Sequence, residues 1–246
     1  MDNRSSLGHL PAGSKWTFDE SVAQVFDDML VRSIPSYPQM RMCVFDYATR
    51  ILRDRDELIV DLGASRGEAI ASLVSRYGNR HRYVALEIAP AMLAELRERF
   101  ANEIEGGIVR VESWDLKQGL PLQHFQANAG ILLSVLTLQF IPIEYRQRIV
   151  ADAYRLLRSG GALILVEKVL GAGAEIQELQ VDAYHDLKRA NGYSTEEVER
   201  KALALEGVMV PLTAPWNEDI LRRAGFRTFD CFYRAHNFAG WIAIRD

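Results

Sequence analysis

Apolar positions recur every three or four residues over 18–34, with Val22, Val25, Phe26, Met29 and Leu30 on one face, which predicts an amphipathic helix. Pro35-Ser36-Tyr37-Pro38 interrupts that pattern and starts a second helix running to about Leu52. The pattern then changes. Leu58-Ile59-Val60-Asp61-Leu62 is a short apolar run, the mark of a strand buried on both faces of a parallel sheet. Further strands over Arg82–Glu87, 108–113, 130–136 and 162–169 alternate with helices over Glu68–Tyr77, 90–100 and 144–157, the last closed by Ser159-Gly160-Gly161. Residues 173–210 break the alternation with two helical stretches, and Ser194 with Glu197 reads as a capping box for the second. A short helix over 217–224 and two strands, 228–233 and 241–244, finish the chain as a hairpin on the sheet edge. The expected fold is therefore an α/β, Rossmann-like sandwich of seven mostly parallel strands.

This pattern divides the chain into an arm over 1–15 and one domain over 16–246, with a helical cover at 16–53 and a helical insert at 173–210 between strands five and six. The 246 residues, 48% apolar and 25% charged, exclude a disordered chain. A net charge of −4 argues against a nucleic-acid backbone as partner. The first 15 residues lack the apolar centre of a signal peptide, and no run approaches the ~18 apolar residues of a membrane span. Cys43 and Cys231 belong to no CxxC pair, and His9, His81, His124, His185 and His236 lack metal-ligand spacing. The expectation is a cytoplasmic protein with a small-molecule substrate, no membrane partner and no metal.

The chemistry concentrates at Val60-Asp61-Leu62-Gly63-Ala64-Ser65-Arg66-Gly67-Glu68, where a strand ends in a carboxylate, a small-residue turn follows and a helix begins. Glycine lets a ligand approach the backbone, and the helix start presents free amide donors. A dinucleotide site more often shows GxGxxG, whereas an acid before the turn suits a cationic amino group. The GxSxG spelling also matches the nucleophile elbow of hydrolases around Ser65, but no His and acid follow at the required places. Glu87 ends the second strand, where an acid accepts both hydroxyls of a ribose or caps the helix entered at Pro90. Asp115 follows the third strand, where an acid accepts an adenine amine or lies in an exposed loop. Acids and small turns at successive strand ends point together to an S-adenosyl-L-methionine (SAM) site.

Several segments carry a resemblance. Trp16-Thr17-Phe18-Asp19-Glu20, Arg32-Ser33-Ile34-Pro35-Ser36-Tyr37, Asp61 to Gly67, Thr137-Leu138-Gln139-Phe140, Glu167-Lys168 and His185 to Ser194 (HDLKRANGYS) resemble the carboxy-SAM synthase family over Trp16 to the C-terminus. That resemblance implies the class I methyltransferase fold, a homodimer, and conversion of SAM to carboxy-SAM with prephenate as carboxyl source, in tRNA wobble-uridine modification. It also implies that Tyr37 approaches the methionine or sulfonium end, Gly63, Ala64 and Ser65 line the amino-acid portion, Glu87 takes the ribose, and Asp115 with Leu116 flanks the adenine. Tyr184 and His185 lie in the most family-like segment; His185 reads as a general base or as a hydrogen-bonded structural residue. Trp16, Phe18, Tyr37, Trp114 and Tyr184 are aromatics that either face the sulfonium or pack in the core.

Four positions depart from the family's pattern, the first being Glu87, where it has Asp. Ile88 stands where it has Asn after the second strand, Val135 where it has Asn at the end of strand four, and Ala202 where it has the Arg that binds the added carboxylate. On a helix Lys201 points about 100° and Arg200 about 200° away from position 202, so neither is expected to replace that arginine. An apolar wall without a cation favours chemistry on SAM alone: the α-amine attacks the γ-carbon, expels methylthioadenosine and leaves azetidine-2-carboxylate. Methyl transfer to a small acceptor is the alternative, and carboxy-SAM synthesis the next.

Overall fold

A computed structural model of the chain describes residues 13–52, 56–125 and 128–246. The element order is α1 (Glu20–Ser33), α2 (Tyr37–Ile51), β1 (Leu58–Leu62), α3 (Glu68–Tyr77), β2 (Arg82–Glu87), α4 (Pro90–Arg99), α5 (Ala101–Glu105), β3 (Val109–Ser113), β4 (Ala129–Val135), α6 (Ile143–Leu156), β5 (Leu157–Leu170), α7 (Ala174–Ala190), α8 (Thr195–Leu205), β6 (Leu212–Thr213), α9 (Ala214–Ala224), β7 (Thr228–Ala235) and β8 (Phe238–Ile244). Local chemistry sets many of these ends. Asp19 accepts from the Val22 amide at 3.1 Å and starts α1, and the Pro35-Ser36 break, with Ser36 at φ 49°, turns the chain into α2. Ser194 and Glu197 form the expected capping box of α8.

Seven strands follow the order β3-β2-β1-β4-β5-β8-β7, with β1 to β5 parallel and β8 antiparallel to both β5 and β7. The two-residue β6 is an eighth strand, paired with Val169 and Leu170 beyond this path. Two such residues carry no readable alternation, which is why the sequence predicts seven. Ser159-Gly160-Gly161 does not close α6 either. These residues lie within β5, where the register against β4 shifts between Ala129 and Ile131.

Alternate residues of the central strands feed opposite faces. Val60, Leu132 and Leu163 pack toward α6 and α9, whereas Ile59, Ile131 and Ile164 pack toward α2 and α3. Both faces are covered, so β1 and β4 read as continuous apolar runs. A third cluster, Trp16, Val22, Ala23, Phe26, Met29, Met92 and Ala204, seats the N-terminal cover on α4 and α8. The expected arm over 1–15 lies outside the described residues as far as residue 12. Its end is tethered: Lys15 Nζ donates to the Glu206 carbonyl at 2.8 Å and the Trp16 amide to that of Ala204 at 2.9 Å. Among the described residues no helix is long and apolar enough to cross a membrane.

Candidate active site at the carboxyl edge of the sheet

The order of strands reverses between β1 and β4, and their carboxyl ends open a crevice there. After β1 the backbone turns through Gly63 at φ 66°, Ser65 at φ 53° and Gly67 at φ 80°, then enters α3. A Cβ on Gly63 would lie 2.8 Å from Thr137 Oγ1 and closer still to its methyl group. Thr137 uses that hydroxyl to donate to the Leu62 carbonyl at 2.8 Å, which locks the loop after β4 against the glycine turn.

Glu87 braces the same turn. One carboxylate oxygen accepts from the Ser65 amide at 2.7 Å and the other from the Ile88 and Ala89 amides, both at 2.8 Å. The helix-entry role left open by the sequence is thus present. A carboxylate offers about four acceptor sites; these amides use three of them, so one remains for a ligand hydroxyl. Asp115 accepts from the Lys117 amide at 2.9 Å, again with acceptor capacity to spare.

The crevice continues into a cavity of about 710 Å³ beneath the N-terminal cover. Asp61, Gly63, Ala64, Ser65, Glu87, Ile88, Asp115, Leu116, Val135, Ala202, Tyr37, Tyr184 and His185 all line it. The fold therefore brings every candidate site residue to one place.

Electrostatics sorts these side chains. Asp61 is 1% exposed, its Oδ2 has no hydrogen-bond partner among the described residues, and burial raises its pKa to about 7, opposed by the Arg41 cation. Glu167, also buried, holds the Leu138 amide at 2.9 Å, and burial raises its pKa to about 8. Burial pushes the Tyr37 hydroxyl up to about 12. His185 is pushed below the ordinary histidine value by burial and then by Lys188, Arg189 and Lys168, which favours the neutral imidazole. Ser65 Oγ donates toward Met92 Sδ at 3.4 Å, and no general base for a nucleophilic serine contacts it among the described residues.

One expectation is corrected here. The wall beside Ala202 is not without cations, because Lys168, Lys188 and Lys201 all line the cavity. Lys201, 8% exposed, donates to Ser33 Oγ at 3.3 Å and lies 5.1 Å from the Trp16 ring centroid. The helical-wheel angle misleads because a lysine carries its charge on a long flexible stem. The Lys168 and Lys188 ammoniums stand 4.7 and 5.3 Å from the Tyr184 ring, so this aromatic already faces protein cations. No protein cation stands over Tyr37 among the described residues. Burial lowers the pKa of Lys168 and of Lys188 to about 8, and it also pushes Lys201 well below the usual lysine value. No carboxylate pairs with any of the three among the described residues.

Arg41 and these lysines are the site residues that sequence reasoning missed. Two signals existed: Arg41 follows Tyr37, and Lys188 follows Tyr184, by one helical turn, so each shares a face with an aromatic already singled out. No group of His, Cys, Asp and Glu suited to a metal ion is gathered among the described residues.

Comparison with known proteins places this geometry. Residues 59–161 match a family model described as a methyltransferase domain. The carboxy-S-adenosyl-L-methionine synthase of Methylococcus capsulatus is 36% identical over 229 residues, 93% of each chain. The enzyme of the same name from Erwinia tasmaniensis is 33% identical over 248 residues, covering all of this chain and 98% of that one. Among solved structures, human N-acetylserotonin methyltransferase in complex with SAM superposes with a TM-score of 0.60 at 15% identity; 92% of this chain spans 55% of that longer one. That likeness carries the fold alone. With a third of its residues shared over nearly the whole length of both chains, the protein belongs to the carboxy-S-adenosyl-L-methionine synthase family, SAM-dependent enzymes of the methyltransferase superfamily.

Proposed function

We propose that the protein binds SAM along the carboxyl edge of the sheet and reacts it at its sulfonium methyl with a small carboxylate-bearing second substrate, as in carboxy-SAM synthesis. The observation that carries this reading is the set of three lysines without a carboxylate partner on the cavity wall. Gathering unpaired ammoniums away from water is unfavourable, and an incoming carboxylate removes that penalty. The buried Trp16 Nε1, a donor without a partner, adds a directed hydrogen bond on the same wall. At the other end, the narrow turn at Gly63 and the Asp61 Oδ2, unpartnered among the described residues, suit the amino-acid portion of SAM, and Tyr37 on the cavity wall suits the sulfonium.

The test is incubation of the purified protein with SAM, with and without prephenate, followed by mass spectrometry. Carboxy-SAM formed only with prephenate is the expected product; S-adenosylhomocysteine formed only with another acceptor would mark a methyltransferase.

Cyclisation of SAM alone is the second reading, favoured by Val135 and Ala202 on the cavity wall and by Asp61. A carboxylate whose pKa is near 7 can take the ammonium proton, after which nitrogen attacks the γ-carbon and the carbon–sulfur bond breaks. Methylthioadenosine and azetidine-2-carboxylate from SAM alone would establish it.

The two readings differ in pH dependence. Lys168 and Lys188 are cationic below about pH 8 and lose their charge as pH rises through it. The KM for a carboxylate substrate should therefore rise between pH 7 and 9, whereas cyclisation should accelerate as Asp61 ionises through about pH 7. Initial rates over pH 6–9 separate them.

Glu87→Ala should weaken SAM binding in calorimetry by about 1–3 kcal/mol or more, the cost of an unpaired ligand hydroxyl to which loss of the brace on the Ser65 turn adds. Unchanged affinity would remove the ribose assignment.

A further inference from the structure

Arg41 projects from the second turn of α2 into the same end of the cavity as Asp61, Gly63 and Ser65. Its guanidinium is held at the start of α3, where Nη2 donates to the Glu68 carbonyl. That contact uses one of five N–H donors. No carboxylate pairs with Arg41 among the described residues. The nearby Glu68 side chain is already engaged by Arg99 Nη1 at 2.8 Å. Asp61 is close enough to feel the Arg41 charge, yet among the described residues no ion pair joins them and its Oδ2 has no hydrogen-bond partner. One end of the cavity thus presents a cation with unused donors beside an anion with an unused acceptor.

An ion pair between the two would have neutralised both. Held apart, they match a ligand that carries both signs on one carbon. The cation meets a carboxylate and the anion an ammonium, and planar guanidinium suits the carboxylate particularly well. We propose that Arg41 binds the α-carboxylate of SAM while Asp61 receives its α-ammonium, so that the pair selects the intact amino-acid end of the substrate. This rests on the SAM-binding reading above and adds a residue that determines specificity within it. The lysines of α7 and α8 are then left for a different anion.

The experiment compares three ligands by calorimetry: SAM, decarboxylated SAM, which keeps the amine and sulfonium, and methylthioadenosine, which lacks the amino-acid end. The native protein should bind SAM roughly 10- to 100-fold more tightly than decarboxylated SAM, the range of a charge-assisted hydrogen-bonded contact. Arg41→Gln should lose that factor for SAM alone and leave decarboxylated SAM and methylthioadenosine unchanged. Arg41→Lys should restore part of it. Equal weakening of all three ligands would mean that Arg41 only props up α3 and would overturn the proposal. So would unchanged SAM affinity in Arg41→Gln, or a native protein that does not distinguish SAM from its decarboxylated form. A native protein that binds none of the three overturns the SAM reading itself, and this proposal with it.

Discussion

Lys201→Met should leave the ligand-free protein more stable and nearly inactive toward a carboxylate substrate. Lys201 is 8% exposed, and its only polar contact among the described residues is Ser33 Oγ. Methionine fills a similar volume without a charge to desolvate, and exchanges of buried ionic groups for apolar ones commonly stabilise by about 1–4 kcal/mol. For a chain of this size each 1 kcal/mol moves the melting midpoint by roughly 2–4 °C. The sign with pH follows from linkage. A lysine with a depressed pKa binds fewer protons folded than unfolded, so the native protein gains stability as pH rises toward the ordinary lysine value. The gap between variant and native protein should therefore be widest at low pH and close as pH rises. Activity should move the other way, since removing one partner of a desolvated charge pair costs about 2–5 kcal/mol. A destabilised Lys201→Met that keeps full turnover would show that the ammonium is a structural tie between α8 and α1.

Gly63→Ala should remove SAM binding and destabilise the fold. Two costs add at this position. Alanine at φ 66° pays about 1–2 kcal/mol for the left-handed conformation, and its Cβ meets Thr137, an overpacking worth about 1–3 kcal/mol. Relief by movement of Thr137 would break its bond to Leu62 and shift the loop after β4. Gly107→Ala provides the control. Gly107 has φ 69° at the end of α5 and, among the described residues, nothing within 4 Å of the added Cβ, so it should show only the conformational cost and normal SAM affinity. Denaturation and calorimetry on the two variants check both effects.

The sheet was readable because parallel strands buried on both faces declare themselves as apolar runs. The expected limits of Leu58–Leu62, Glu68–Tyr77 and Arg82–Glu87 coincide with β1, α3 and β2. The strand-end acids were readable because the fold delivers such positions to one edge. The lysines were not, because a charged residue on a predicted helix has the same signature whether its stem turns toward solvent or lies along an aromatic face. Lys201 illustrates the limit: position 202 carries alanine, yet the lysine one residue before it lines the same cavity. Arg41 stayed hidden for a related reason, since its lack of an ionic partner is a property of α2 against α3 and not of α2 alone.

The tether between Lys15 and the Glu206 carbonyl joins residues 191 positions apart. At translation rates of about 5–20 residues per second, roughly 10–40 s separate their synthesis. During that interval Trp16, Val22, Phe26 and Met29 lack the Ala204 side of their packing. The nascent chain thus holds an amphipathic helix whose apolar face stays uncovered until α8 has been made.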